Sequence, residues 1–172
     1  MTELKRNTIS SIFLKSFPLL MLYYSVLNDF DANYFEIQYL SFNFAYILIF
    51  FWTLKKIDFF GYGLIFFAGI INDSVNGLPL GLSSFLYMII CVATSYFRSI
   101  TLRPTLIKDW AFFLLIISIV NSVYYIIFFI IFTNEIDYKF LLVNNFTTFL
   151  LYFFFHIIFN YFYERFFGKV DV

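Results

Sequence analysis

Residues 110–133 read WAFFLLIISIVNSVYYIIFFIIFT, 24 positions without one charged side chain. As a helix rising 1.5 Å per residue, such a run is about 36 Å long, enough to cross a hydrocarbon layer of about 30 Å. Its apolar character is continuous and does not alternate, so it is not a barrel strand, and in lipid a helix is the only open backbone that satisfies its own polar groups. Working outward, five more uncharged runs are bounded by charges or turn residues. The six predicted spans are 9–27, 37–54, 59–76, 82–97, 110–133 and 140–163, leaving short connections and no extramembrane domain. The expected fold is therefore an all-α membrane protein, a compact single-domain bundle of six transmembrane helices over residues 1–172.

Composition agrees with a lipid solvent. The chain is 62% hydrophobic, 26% aromatic and 13% charged, whereas soluble domains are about 45–50% apolar and about 25% charged. A globule of 172 residues has no interior that could hide 29 Phe and 14 Tyr. Eleven basic residues balance eleven acidic ones, so no bulk electrostatic attraction to nucleic acid is expected. The single Cys91 excludes an intramolecular disulfide and a cysteine metal cluster. No Walker loop, nucleophile elbow, H-E-x-x-H or paired carboxylates on one helix face are present, and neither enzymatic activity nor a cofactor or metal is expected.

Basic residues orient the bundle, because Lys and Arg collect in short cytoplasmic loops. Lys5, Arg6, Lys55, Lys56, Arg98, Arg103, Lys108, Arg165 and Lys169 fall on one side of the six spans, and Lys139 on the other. Both termini are thus expected in the cytoplasm. Lys15 lies inside the first run, near enough to its end to snorkel. That run lacks a small-residue cleavage pattern and is expected to be a retained span, not a signal peptide. With few alanines, most helix interfaces are expected to interlock through large aromatics.

One segment differs. Five of the six glycines lie between Gly61 and Gly81, in GYGLIFFAGIINDSVNGLPLG. Gly69, Asp73 and Gly77 are four residues apart and share one helix face, a smooth stripe with a carboxylate at its middle. Asp73 lies about 18 Å from Gly61 along the helix, within the outer half of the bilayer, where an ionisable group signals a polar contact. Three readings stay open: satisfaction by Ser83, Asn76, Asn144, Asn145 or Lys139, a partner contact, or a proton or substrate role. Pro79 between glycines predicts a tight turn, with Ser83 and Ser84 available to cap the next helix.

The pattern Gly69-x-x-x-Asp73-x-x-x-Gly77-x-Pro79-Leu80-Gly81 resembles the signature of the bacterial rod shape-determining protein MreD family, whose length, six spans and basic fourth loop are also similar. The resemblance implies a multi-pass protein of the bacterial inner membrane that serves as a non-catalytic scaffold. Its implied partners are an MreC-like bitopic protein and, indirectly, a RodA-like glycosyltransferase, a penicillin-binding transpeptidase and an MreB-like cytoskeleton. Gly69, Asp73, Gly77, Pro79 and Gly81 would be the signature and partner-binding positions, with a partner helix packing on the stripe. The family is similar in fold to the substrate-binding subunits of energy-coupling-factor vitamin transporters. That alternative predicts a polar cavity near the outer face.

Other polar residues have simpler readings. His156, mid-way through the sixth run, is expected to bond to a neighbouring helix. Asn43, Asn121, Asn144, Asn145 and Asn160 are expected to be buried amides joining helices. Arg98, Arg103, Lys108 and Trp110 fit contact with lipid headgroups or a cytoplasmic partner, with Trp110 as an interfacial anchor.

Overall fold

The computed structural model describes residues 16–27, 41–55, 61–101, 105–132 and 138–167. The expectations for Lys5, Arg6, Lys15, Lys56, Arg103 and Lys169 lie outside these residues. Within them the protein is all-α, with six helices in chain order: α1 Ser16–Leu27, α2 Phe44–Lys55, α3 Tyr62–Asn76, α4 Leu82–Ile100, α5 Leu106–Phe132 and α6 Tyr138–Phe167. Stretches of three of them, Leu82–Ile100, Leu106–Ile131 and Tyr138–Arg165, are long and apolar enough to cross a membrane. A multi-pass membrane protein is the plausible setting for such a chain. α5 begins four residues before the predicted span, just past Pro104, so Lys108, Asp109 and Trp110 belong to its first turns.

α2 is the centre of the molecule. Every residue from Phe44 to Thr53 is buried, the expected state of a helix that is apolar on all sides. α4 and α6 pack against it, α3 packs on α4, and α5 lies against α4 and α6. The outer helices turn Leu115, Ile119, Ile126, Ile130, Phe146, Phe154 and Ile158 outward. In water that surface would drive aggregation, and in lipid it is the ordinary exterior.

Aromatic rings fill most seams. Phe50 meets Phe113 at 4.9 Å and Tyr152 at 5.4 Å between ring centroids, and Phe113 stacks on Tyr152 at 4.4 Å. Phe97 stacks on Phe112 at 3.9 Å where α4 meets α5. Such offset and edge contacts add about 0.5–1.5 kcal/mol each beyond area burial. Hydroxyls inside the apolar helices are satisfied locally: Thr94, Ser95, Ser118 and Ser122 each donate to the carbonyl four residues earlier, which spares a polar group from facing hydrocarbon.

The α3–α4 seam is built differently. Gly69 is buried, and a β-carbon placed on it would overlap the Ser84 backbone and come within 2.6 Å of Ser84 Oγ. Glycine is what lets the two helices approach this closely. The Ser84 hydroxyl donates to the Phe66 carbonyl at 2.8 Å, closing the contact from the other side.

Candidate functional site

The turn between α3 and α4 is organised by Asp73. α3 stops at Gly77, whose φ of 62° lies in the left-handed region. There the Leu78 N–H donates to the Asp73 carbonyl at 2.9 Å, the six-to-one bond of a Schellman cap. The chain passes Pro79 and enters α4 through Gly81 at φ 96°. The Asp73 side chain, fully buried, then reaches across. Its Oδ2 accepts the Gly81 N–H at 2.7 Å and its Oδ1 accepts the Ser83 N–H at 2.9 Å.

A carboxylate from the end of one helix thus caps the start of the next, satisfying N–H groups that α4 cannot bond internally and lying at the positive end of its dipole. This differs from the expected caps. Gly81 is the N-cap residue and offers no side chain, so the cap comes from outside the helix. Ser83 Oγ instead accepts from Asn72 Nδ2 at 2.8 Å, and Ser84 serves the α3 contact. Of the candidate partners for Asp73, Ser83 is used, through its backbone N–H.

The smooth stripe has a further correction. Its Gly69 and Asp73 positions are occupied by α4 of the same chain, so the face expected to admit a partner helix is filled. Gly77 sits beyond the helix end with open space around its α-carbon.

Asn43, Asn121, Asn144 and Asn145 converge at the same end of the bundle. Asn144 Oδ1 accepts from Asn43 Nδ2 at 2.9 Å and from Asn121 Nδ2 at 3.3 Å, while Asn144 Nδ2 donates to Ser41 Oγ at 2.6 Å. Asn121 Nδ2 also reaches Asn145 Oδ1 at 2.5 Å, and the Asn43 backbone N–H donates to Thr148 Oγ1 at 3.1 Å. The network joins the start of α2 to α5 and α6. It borders a cavity of about 300 Å³ that is also lined by Ser25, Asn72, Asn76, Ser83, Tyr46, Tyr87, Tyr124 and Tyr125. No charged side chain lines it among the described residues, so its chemistry is that of amides and hydroxyls: it suits a neutral, hydrogen-bonding molecule. Asn76, Ser83 and Asn144 line it, near the outer end where the transporter alternative expects a polar cavity.

The opposite end holds the basic residues. Arg98 and Lys108 are exposed. Trp110 is half-buried: its ring stacks on Phe149 at 4.4 Å and 4°, and its Nε1 donates to the Phe149 carbonyl at 2.9 Å. It clasps α5 to α6. His156 makes its hydrogen bond within its own helix, 3.3 Å from the Tyr152 hydroxyl, and meets Phe51 of α2 edge-on at 5.4 Å. Asn160 accepts from Lys55 Nζ at 2.6 Å and donates to Glu164 at 2.8 Å. Asp109, which the sequence marks only as the neighbour of Trp110, is buried beside Lys55, Arg98 and His156. Among the described residues no group of three His, Cys, Asp or Glu could hold a metal ion.

Comparison with family models, curated proteins and solved structures finds no match.

Proposed function

We propose that this chain is an MreD-like, non-catalytic component of the rod-shape and cell-wall elongation complex, a six-span protein of the bacterial inner membrane with both termini in the cytoplasm. One observation supports the reading above others: the motif positions act as one unit. Gly69 admits α4, Asp73 caps it, and Gly77 and Gly81 take the left-handed backbone that brings it back. A motif whose members jointly fix one hairpin is a plausible family signature, because replacing any one of them disturbs the others. The hairpin is then a rigid element on which an MreC-like bitopic protein docks, and its outward side, with Phe66, Phe67 and Val75 exposed, replaces the occupied stripe as the contact. Depletion of the protein in its host tests this: loss of rod shape is expected, and unchanged shape under full depletion would defeat the proposal.

The polar cavity favours a second reading, a substrate-binding subunit of a vitamin-type transporter. A cavity of about 300 Å³ is at the lower end of small-molecule sites, and its lining from several helices is what such a subunit requires. Mass spectrometry of small molecules retained by the purified protein separates the two: a stoichiometric vitamin-sized compound supports the transporter.

A further inference from the structure

A second cavity, of about 290 Å³, lies at the basic end of the bundle and is lined by Lys55, Arg98, Asp109 and His156 together with Phe51 and Phe97. By liquid volume it could hold roughly ten waters. Asp109 is only 8% exposed, and its Oδ1 has no hydrogen-bond partner among the described residues. A buried carboxylate oxygen without a donor is costly, so a bound group that supplies one is stabilised. Lys55 Nζ is held by neutral groups, the Asn160 amide oxygen at 2.6 Å and the rings of Phe51 and Tyr163 at 5.6 and 5.2 Å. The Asp109 and Glu164 carboxylates act on that charge from nearby, and neither forms an ion pair with it among the described residues.

The cavity therefore presents two cations and one unsatisfied anion. A simple anion would answer Lys55 and Arg98 and leave Asp109 Oδ1 stranded. A simple cation would answer Asp109 and meet two like charges. A phosphate joined by a short linker to a protonated amine answers all three.

We propose that this cavity binds a phosphoamine zwitterion, the headgroup chemistry of phosphatidylethanolamine, with the phosphate at Lys55 and Arg98 and an ammonium N–H on the Asp109 carboxylate. Exposed Tyr96, Ile100 and Ile107 at the same end offer an apolar surface along which acyl chains can run, which favours the lipid over free phosphoethanolamine.

Native mass spectrometry of the full chain, exchanged into mixed lipids, tests this. Phosphatidylcholine carries a trimethylated amine with no N–H, and phosphatidylglycerol carries no amine. Retention of phosphatidylethanolamine about tenfold above either is expected, with Asp109→Asn bringing the three to within about twofold. Arg98→Gln, at an exposed position, is expected to weaken all three alike, so the test survives if Asp109→Asn fails to fold. Equal retention of the three lipids by the wild-type protein, or unchanged retention in Arg98→Gln, would overturn the site. Displacement of the lipid by an equal concentration of soluble phosphoethanolamine would overturn the lipid as its source.

Discussion

Asp73 Oδ2 accepts the Gly81 N–H at 2.7 Å, so the last turn of α3 holds the first turn of α4 eight residues further along the chain. Because Oδ1 also takes the Ser83 N–H, one carboxylate fixes both the direction and the start of the returning helix.

Asp73→Ala is expected to destabilise the purified protein by about 2–3 kcal/mol, the upper range for losing a helix N-cap and stranding a buried donor. Asp73→Asn, which keeps one acceptor oxygen, should lose about half as much. Unfolding in detergent, followed by circular dichroism, ranks the pair. Equal stability of Asp73→Ala and wild type would mean that the carboxylate serves something other than the hairpin.

At Gly69 a single methyl is enough to matter. Gly69→Ala pushes a β-carbon into the Ser84 backbone, and a loss at the top of the overpacking range of about 1–3 kcal/mol is expected. Gly63, on the same helix with nothing within 4 Å of an added β-carbon, is the control: Gly63→Ala should be neutral or slightly stabilising. Thermal melts of the two variants side by side make the comparison.

The asparagine network should fail unevenly. Asn144 touches Asn43, Asn121 and Ser41, and Asn144→Leu is expected to cost about 1–3 kcal/mol, from interhelical bonds of about 0.6–2 kcal/mol each. Asn145→Leu removes the bond from Asn121 and should cost less than about 1 kcal/mol. Chemical denaturation of both variants in the same detergent checks the order.

Trp110→Phe keeps a ring against Phe149 but removes the Nε1 donor. A loss of about 0.5–1.5 kcal/mol is expected, with Trp110→Ala losing the stacking as well. If Trp110 were only an interfacial anchor, Trp110→Phe would leave stability in detergent unchanged.

The helices and the hairpin were legible because their signals are local. Uncharged runs delimit helices, and Gly69 and Gly77 eight apart, with Asp73 midway and Pro79 following, mark a close approach and a turn. What the stripe packs against was not legible, since periodicity defines a face and says nothing of whether α4 or another protein covers it. The cap on α4 points to serine in the sequence because Ser83 and Ser84 adjoin the helix start, whereas the acceptor that wins, Asp73, is ten residues upstream of Ser83 and reaches it only once the turn has formed. Asp109 carries no such local signal, because the apolar run begins at Trp110, while the backbone turns helical at Leu106 and carries the carboxylate inward. The two cavities depend on side chains from several helices, a juxtaposition that no single stretch of sequence encodes.

Affinity capture of the tagged full chain, gently extracted from its own membranes, with both co-purifying proteins and bound small molecules identified, tests the scaffold reading most directly. An MreC-like bitopic protein, accompanied by a RodA-like glycosyltransferase or a penicillin-binding transpeptidase, is expected at near-stoichiometric yield. A vitamin-sized molecule retained with no cell-wall synthesis protein beside it would contradict the scaffold and assign the chain to transport.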